Sequence, residues 1–211
     1  GEDGKLAKLL ESLKIPFTSC SSKAAELTFN KKKCVDFVRK NDVSTAKSIL
    51  LKKNDPINVD ELINEIGLPC FVKPNCSGSS FGIVKIDLKE NLSVGIETAL
   101  KEDNQLIIES ELKGVEVSIG VYKKVNQIIT LPITEIVSEK EFFDYEAKYE
   151  GKAKEITPAN ISEDLAKDIS DISIDLYSKL NLKGIVRNDF IIVNGKPHLL
   201  EINTVPGLTK E

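Results

Sequence analysis

Residues 184–211 read GIVRNDFIIVNGKPHLLEINTVPGLTKE. Two apolar runs flank Asn194-Gly195, the strongest short-range signal for a β-hairpin that a sequence offers. Arg187 and Asp189 stand ahead of or inside the first run, and Glu201 and Asn203 close the second. Charged residues at strand ends are ordinarily just solvated, so register decides whether these four groups mean anything. With a two-residue turn between Val193 and Lys196, Asp189 falls opposite Leu200, and period-2 alternation sends Asp189 and Glu201 to opposite faces. With Gly195 left-handed as a bulge in a three-residue connection, the parity changes and Asp189, Glu201 and Asn203 project to one side. In that case two carboxylates and an amide oxygen form a hard-oxygen set of the kind Mg²⁺ prefers.

Ahead of the hairpin, Leu6, Leu9, Leu10 and Leu13 recur at helical spacing before KIPFTSCSS breaks the pattern. KAAELTF and KKKCVDFVRK read as short helices, AKSILLKK as a strand, and NVDELINEIG as a helix with Asn58 as cap and Gly67 as stop. PCFVKP and SFGIVKI are strands, KENLSVGIETALKE is an amphipathic helix, and QLIIESEL, VEVSIGVYK and QIITLPITEIV are three strand-like runs. A long helix from about Ser162 to Leu180 precedes the hairpin. Strands and helices mix without regular βαβ alternation, which predicts an α+β fold with antiparallel sheets.

A chain of 211 residues, 41% hydrophobic, is long enough for one large or two small cores. The formal charge of −4 is spread over both signs along the chain, so no basic stripe proposes nucleic acid or anionic lipid. No apolar run approaches a membrane span and no leader opens the chain, which predicts a cytoplasmic protein. Cys20, Cys34, Cys70 and Cys76 lack zinc-site spacing and read as reduced thiols, with Cys76 in a loop. The chain begins without methionine and ends just past a polar cluster, so both ends read as cut from something longer, and the first helix as the last of another domain.

Three further stretches can carry chemistry. VKPNCSGSSFGIVKI places Lys73 at a strand end, followed by Gly78 and Gly82, where backbone can approach an anion, and by the hydroxyls of Ser77, Ser79 and Ser80. It lacks Gly-Lys-Ser/Thr and no helix follows, so it is neither a P-loop nor a dinucleotide fingerprint. The loop from Asn75 to Phe81 has little apolar surface to pin it and is expected to act as a mobile lid. IIESELKGVEVSIGV sets Glu109, Glu111, Leu112 and Glu116 around a strand junction. FFDYEAKYEGKAKEITPA is too polar for a buried strand and reads as a functional loop bearing Lys148 and Tyr149. His198, the single histidine, reads as structural.

In this order, VKPNCSGSS, IIESELKGVE, FFDYEAKY, VRNDF and LEINTVPGLT resemble the D-alanine:D-alanine ligases of the ATP-grasp superfamily over nearly the whole chain. The resemblance implies two lobes with antiparallel sheets holding ATP between them. Residues 1–20 would be the remnant of an N-terminal substrate-binding domain, 21–108 the central lobe and 109–211 a truncated C-terminal lobe. It further implies that Lys31, Lys73 and Ser80 meet the nucleotide phosphates, with Glu109, Leu112 and Glu116 at adenine and ribose. Asp189, Glu201 and Asn203 would bind two Mg²⁺ (or Mn²⁺) ions. Arg187 and the Gly207 amide would stabilise a tetrahedral oxyanion, Lys148 would meet the transferred phosphate, and Tyr149 with Ser79 would complete a network around the first D-alanine. The implied partner is D-alanine, in a protein that is commonly a homodimer and makes a peptidoglycan precursor.

Two departures stand out: Asn30-Lys31 where the family commonly has Asp-Lys, and a less charged loop with Asn75 and Cys76. A glutamate for the first substrate's ammonium and a serine for the second carboxylate would lie outside this chain, so the chain alone is expected to bind nucleotide without turnover. The rival readings are another ATP-grasp carboxylate-amine or D-alanine:D-lactate ligase, disfavoured by YEAKY, and a non-catalytic nucleotide-binding module. The last is disfavoured by the presence of Arg187, Asp189, Glu201 and Asn203 together.

Overall fold

A computed structural model describes residues 1–138 and 153–207. The helices begin where short polar side chains can satisfy the first free amides. Ser21, Asn30, Asn58 and Ser162 each accept from a backbone N–H three residues on, opening α2 (Ser22–Phe29), α3 (Lys31–Arg39), α4 (Val59–Ile66) and α6 (Glu163–Lys179). The Asn30 cap also explains one departure from the family pattern, because asparagine and aspartate cap a helix equally well. The other α-helices among the described residues, α1 (Lys5–Ser12) and α5 (Leu92–Ala99), have no side-chain cap.

Every strand pairing among the described residues is antiparallel. In the smaller sheet β1 (Ser48–Lys52), β4 (Gln105–Ser110), β2 (Cys70–Pro74) and β3 (Val84–Ile86) lie in the order β1-β4-β2-β3. Leu51, Val72, Ile86, Leu106 and Ile108 on one face pack with Ile66 of α4 and Leu92, Ile96 and Ala99 of α5. Alternation then sends Phe71, Lys73, Ile107 and Glu109 to the opposite face.

The larger sheet runs β10 (Lys196–Asn203), β9 (Ile185–Val193), β5 (Val115–Lys124), β7 (Thr134–Ser138), β8 (Ala153–Ile156), with β6 (Gln127–Thr130) also on β5. Its core joins Val117, Ile119, Val121, Val186, Phe190, Leu199 and Ile202 to Ile169, Leu176 and Tyr177 of α6. Cys20 and residues Ala24, Cys34 and Val38 of α2 and α3 belong to this same core. The resemblance placed residues 21–108 in one lobe; by packing, α2 and α3 go with the larger sheet. Their apolar faces meet β10, and the smaller sheet has its own covering helices.

Two strand expectations need correction. QIITLPITEIV is two strands, because Pro132 cannot donate to a ladder, and Leu131 N–H turns to the Gly120 carbonyl at 2.8 Å. The end of the stretch read as a loop, Ala153–Ile156, is strand β8 on β7. Lys154 and Glu155 are exposed there, as edge strands tolerate.

One core residue runs against the pattern. Asn188, fully buried, faces Ile119 and Ile202 on its neighbouring strands, and neither its Nδ2 nor its Oδ1 has a hydrogen-bond partner among the described residues. Burying an amide this way costs about 1–3 kcal/mol. Asn188→Leu is therefore expected to stabilise the protein by about 1 kcal/mol in urea titration. A loss of stability would show that the amide has a partner.

Candidate functional site

The β9–β10 turn is the two-residue kind: Val193 pairs with Lys196, and Asn194 and Gly195 take left-handed φ of 50° and 74°. That turn alone would send Asp189 and Glu201 to opposite faces. The parity is reset six residues later, where Leu199 pairs with Phe190 and Glu201 with Asp189, leaving Leu200 as a bulge. The shift therefore lies at Leu200, and not at Gly195 where the alternative register put it. Core packing demands it, since Pro197, Leu199 and Ile202 are all buried although their spacing changes from two to three. Just before the bulge, Leu199 N–H goes to the Ser44 carbonyl at 2.8 Å.

With the bulge in place, Arg187, Asp189, Glu201 and Asn203 share one face; Glu201 stands opposite Asp189 and Asn203 opposite Arg187. Two carboxylates directly across a ladder repel, and Arg187 offsets this. Its Nε donates to Asp189 Oδ1 at 2.8 Å and Oδ2 at 3.2 Å, and its Nη2 to Oδ2 at 2.9 Å. Nη2 also lies 3.9 Å from Glu201 Oε1. Burial works against the guanidinium's charge, but the charge and hydrogen bonds of Asp189, with Glu201 beyond, more than offset it and push its pKa up. Asn203 Oδ1 accepts from Val205 N–H at 3.0 Å. Among the described residues no three His, Cys, Asp or Glu side chains gather as metal ligands. The donor set is two carboxylates and one amide oxygen, which fits a hard divalent cation that keeps several waters.

Two lysines supply the opposing cations, Lys73 from the smaller sheet and Lys31 from α3. Lys73 Nζ donates to Glu109 Oε2 at 2.7 Å, with both side chains largely buried, and lies 5.6 Å from the Phe71 ring centroid. Lys31, at the start of α3, donates to the Ser77 carbonyl at 2.7 Å. Desolvation pulls the Lys31 ammonium's pKa down; Glu201 pulls it up, Lys73 down and Glu109 up. Lys31 thus feels groups of both sheets from a half-buried position.

Asn75 holds this corner. Its carbonyl accepts from Lys31 N–H and its Oδ1 from Lys32 N–H, both at 2.9 Å, while its own N–H reaches the Gln105 carbonyl at 2.8 Å. At 1% exposure Asn75 is a fixed anchor, which corrects the expectation that the lid begins there. Beyond it, Ser77 Oγ donates to the Phe81 carbonyl at 3.1 Å, and Ser79 and Ser80 take left-handed φ of 54° and 58°. Ser79 is exposed and Ser80 half-buried.

Leu112 and Glu116 are half-buried, Leu112 between β4 and β5 and Glu116 on β5. Gly207 is exposed after β10. Lys148 and Tyr149 lie outside the described residues. His198 Nδ1 sits 3.0 Å from the Lys196 carbonyl, a contact within its own strand. The four cysteines are free, Cys76 exposed and the others buried; burial pushes the Cys34 thiol up to about 12 and Cys70 up to about 11. Ser118 went unnoticed in the sequence, yet it stands opposite Asp189 on β5. The signal was present in VEVSIGV, where Glu116, Ser118 and Gly120 alternate with buried valine and isoleucine.

Comparison with known proteins bears on this geometry. The family described as D-ala D-ala ligase C-terminus matches residues 37–211. A D-alanine--D-alanine ligase of Flavobacterium johnsoniae is 49% identical over 211 residues, covering 100% of this chain and 65% of that protein. The VanG D-Ala:D-Ser ligase from Enterococcus faecalis superposes with a TM-score of 0.88 at 31% identity, over 100% of this chain and 62% of that one. The D-alanine--D-alanine ligase from Bacillus anthracis complexed with ATP gives 0.85 at 28%, over 100% and 66%. The chain thus spans less than two thirds of the length of these relatives. With a family match that runs from the last turn of α3 through the whole of both sheets, the chain belongs to the D-ala D-ala ligase C-terminus family and carries the ATP-grasp fold.

Proposed function

We propose that the protein is an ATP-dependent ligase that joins two D-alanines, through a D-alanyl phosphate, into D-alanyl-D-alanine for peptidoglycan. The observation that carries the reading is the single face bearing Arg187, Asp189, Glu201 and Asn203, with Lys31 in electrostatic reach of both Glu201 and the Lys73–Glu109 pair. A cation-lined corner facing a carboxylate pair suits transfer of a phosphoryl group.

In this reading Lys31 and Lys73 bind the nucleotide phosphates with Ser80, and Glu109, Leu112 and Glu116 receive adenine and ribose. Asp189, Glu201 and Asn203 hold Mg²⁺ or Mn²⁺, which when bound supplies charge neutralisation for the transferring phosphoryl group. The carboxylate of the first D-alanine takes the γ-phosphoryl group and ADP leaves. The amine of the second then attacks the acyl carbon and phosphate departs. Arg187 and the Gly207 amide stabilise the oxyanion of that second step, and Lys148 neutralises the phosphate. Ser79 and Tyr149 orient the first D-alanine. The lobes divide at about residue 108, with α2 and α3 packed across that division on the larger sheet, and the assembly is a homodimer. No helix among the described residues is long and apolar enough to cross a membrane.

Tyr149 carries the acceptor preference. Offered D-alanine, D-serine and D-lactate together at neutral pH, the full-length protein is expected to yield mainly the dipeptide D-alanyl-D-alanine by mass spectrometry. Tyr149→Phe removes one hydroxyl, worth ~1 kcal/mol, and is expected to shift the dipeptide-to-ester ratio about fivefold toward the ester. Mainly ester or D-alanyl-D-serine from the wild type would assign a different acceptor.

A further inference from the structure

Arg187 occupies the place where the metal reading puts a cation. It grips Asp189 side-on through Nε and Nη2, and Nη2 is 3.9 Å from Glu201. A carboxylate held in this fork turns one edge, with both oxygens, to the guanidinium, and a dication cannot enter the same space beside it without strong like-charge repulsion. Conversely, two opposed carboxylates on one sheet face need a positive partner whenever the metal is elsewhere. Arg187 meets that need from the same strand, two residues from Asp189. Its side chain is 35% exposed while that of Asp189 is 7% exposed, so the arginine can pivot and the aspartate cannot.

We propose that Arg187 is a place-holding cation that closes the Asp189–Glu201 pair to free divalent metal until nucleotide arrives. The nucleotide phosphates then give the guanidinium a second anionic partner, Arg187 swings off Asp189, and the carboxylates open to the metal that accompanies the phosphates. Metal loading and delivery of Arg187 to the reacting centre become one event. The inference rests on the assignment of Asp189, Glu201 and Asn203 as metal ligands made above. It extends that assignment by saying when the ligands become available and which side chain controls this.

The test is Mn²⁺ binding to the full-length protein, read from the free-Mn²⁺ electron paramagnetic resonance signal, with and without a non-hydrolysable ATP analogue. Wild type is expected to bind Mn²⁺ tightly only with the analogue. Arg187→Met keeps the aliphatic length and removes the charge, and is expected to bind Mn²⁺ without nucleotide about tenfold more tightly than wild type. Arg187→Lys, which keeps the charge, should show less than half that gain on a logarithmic scale. Equal or weaker nucleotide-free affinity in Arg187→Met overturns the place-holder while leaving the ligand assignment intact, provided Mn²⁺ still binds with the analogue. Retention of Mn²⁺ that is indifferent to Glu201→Gln overturns the ligand assignment, and the place-holder with it.

Removing the partner of a buried aspartate can itself prevent folding, so a second measurement uses the unaltered protein. The Nε–Hε nuclear magnetic resonance signal of Arg187, assigned by its loss in Arg187→Lys, is expected to hold its position when Mg²⁺ is added alone. It should move when Mg²⁺ and the analogue are added together. Movement with Mg²⁺ alone overturns the proposal.

Discussion

Glu201→Gln in the full-length protein is expected to lower kcat by about 10³-fold, ~4 kcal/mol of lost transition-state stabilisation, with the fold intact. The substitution keeps size and one carbonyl oxygen but removes the charge that faces Asp189 across the ladder. Glu201 is the informative choice because its side chain is 44% exposed and its guanidinium contact is long, 3.9 Å. Asp189 is a poor choice: it is buried, and losing its charge would strand Arg187, confusing catalysis with stability. The readouts are phosphate release and the thermal midpoint of the same preparation. Near-normal kcat would remove the metal-ligand role from Glu201, whereas an unfolded variant would assign it to structure. Loss of activity at an unchanged midpoint is what the reading requires.

Gly184→Ala is expected to destabilise the protein by about 3 kcal/mol, which for a chain of this size lowers the thermal midpoint by about 6–12 °C. Gly184 has a left-handed φ of 67°, and a Cβ there would lie 1.9 Å from the Thr18 carbonyl oxygen. Both features oppose a side chain, and the clashing atom is backbone, which cannot rotate away. The surrounding corner is tightly tied. Tyr177 OH donates to the Gly184 carbonyl at 2.8 Å, and Cys20 Sγ donates to the Lys183 carbonyl at 3.1 Å and accepts from its N–H at 3.3 Å. The strand carrying Arg187 and Asp189 begins one residue later, so loosening this corner should also reduce activity. An alanine variant that melts with wild type would show that residues 18–20 do not dock on the α6–β9 connection in solution.

The elements were legible wherever a local signal coincides with a physical necessity. Asn58 and Gly67 bracket α4 because an amide side chain can satisfy the first free N–H groups and glycine tolerates the φ of 84° that ends the helix. Asn194-Gly195 marks the hairpin because both residues accept positive φ. Strand β8 was not legible, because an edge strand with an exposed lysine and glutamate has the composition of a loop and is made a strand only by its partner β7. Asn75 read as a departure in a flexible loop, and nothing in KPNCSGSS says that this side chain meets the amides of a helix 43 residues earlier.

The amino-acid sequence by itself determined the polar inventory of the site and its family pattern: Lys31, Lys73, Arg187, Asp189, Glu201 and Asn203 are all read directly from the chain. It also determined the antiparallel α+β character, through alternation, caps and turn residues whose effects are local. Only the tertiary structure decided that Asp189 and Glu201 face each other. The turn that the sequence specifies puts them on opposite sides, and the bulge at Leu200 brings them back. That bulge follows from a competition no local rule expresses: Leu199 and Ile202 must both reach a core completed by β5, β9 and α6, and a strand with fixed period 2 can bury both only by leaving one residue out of register.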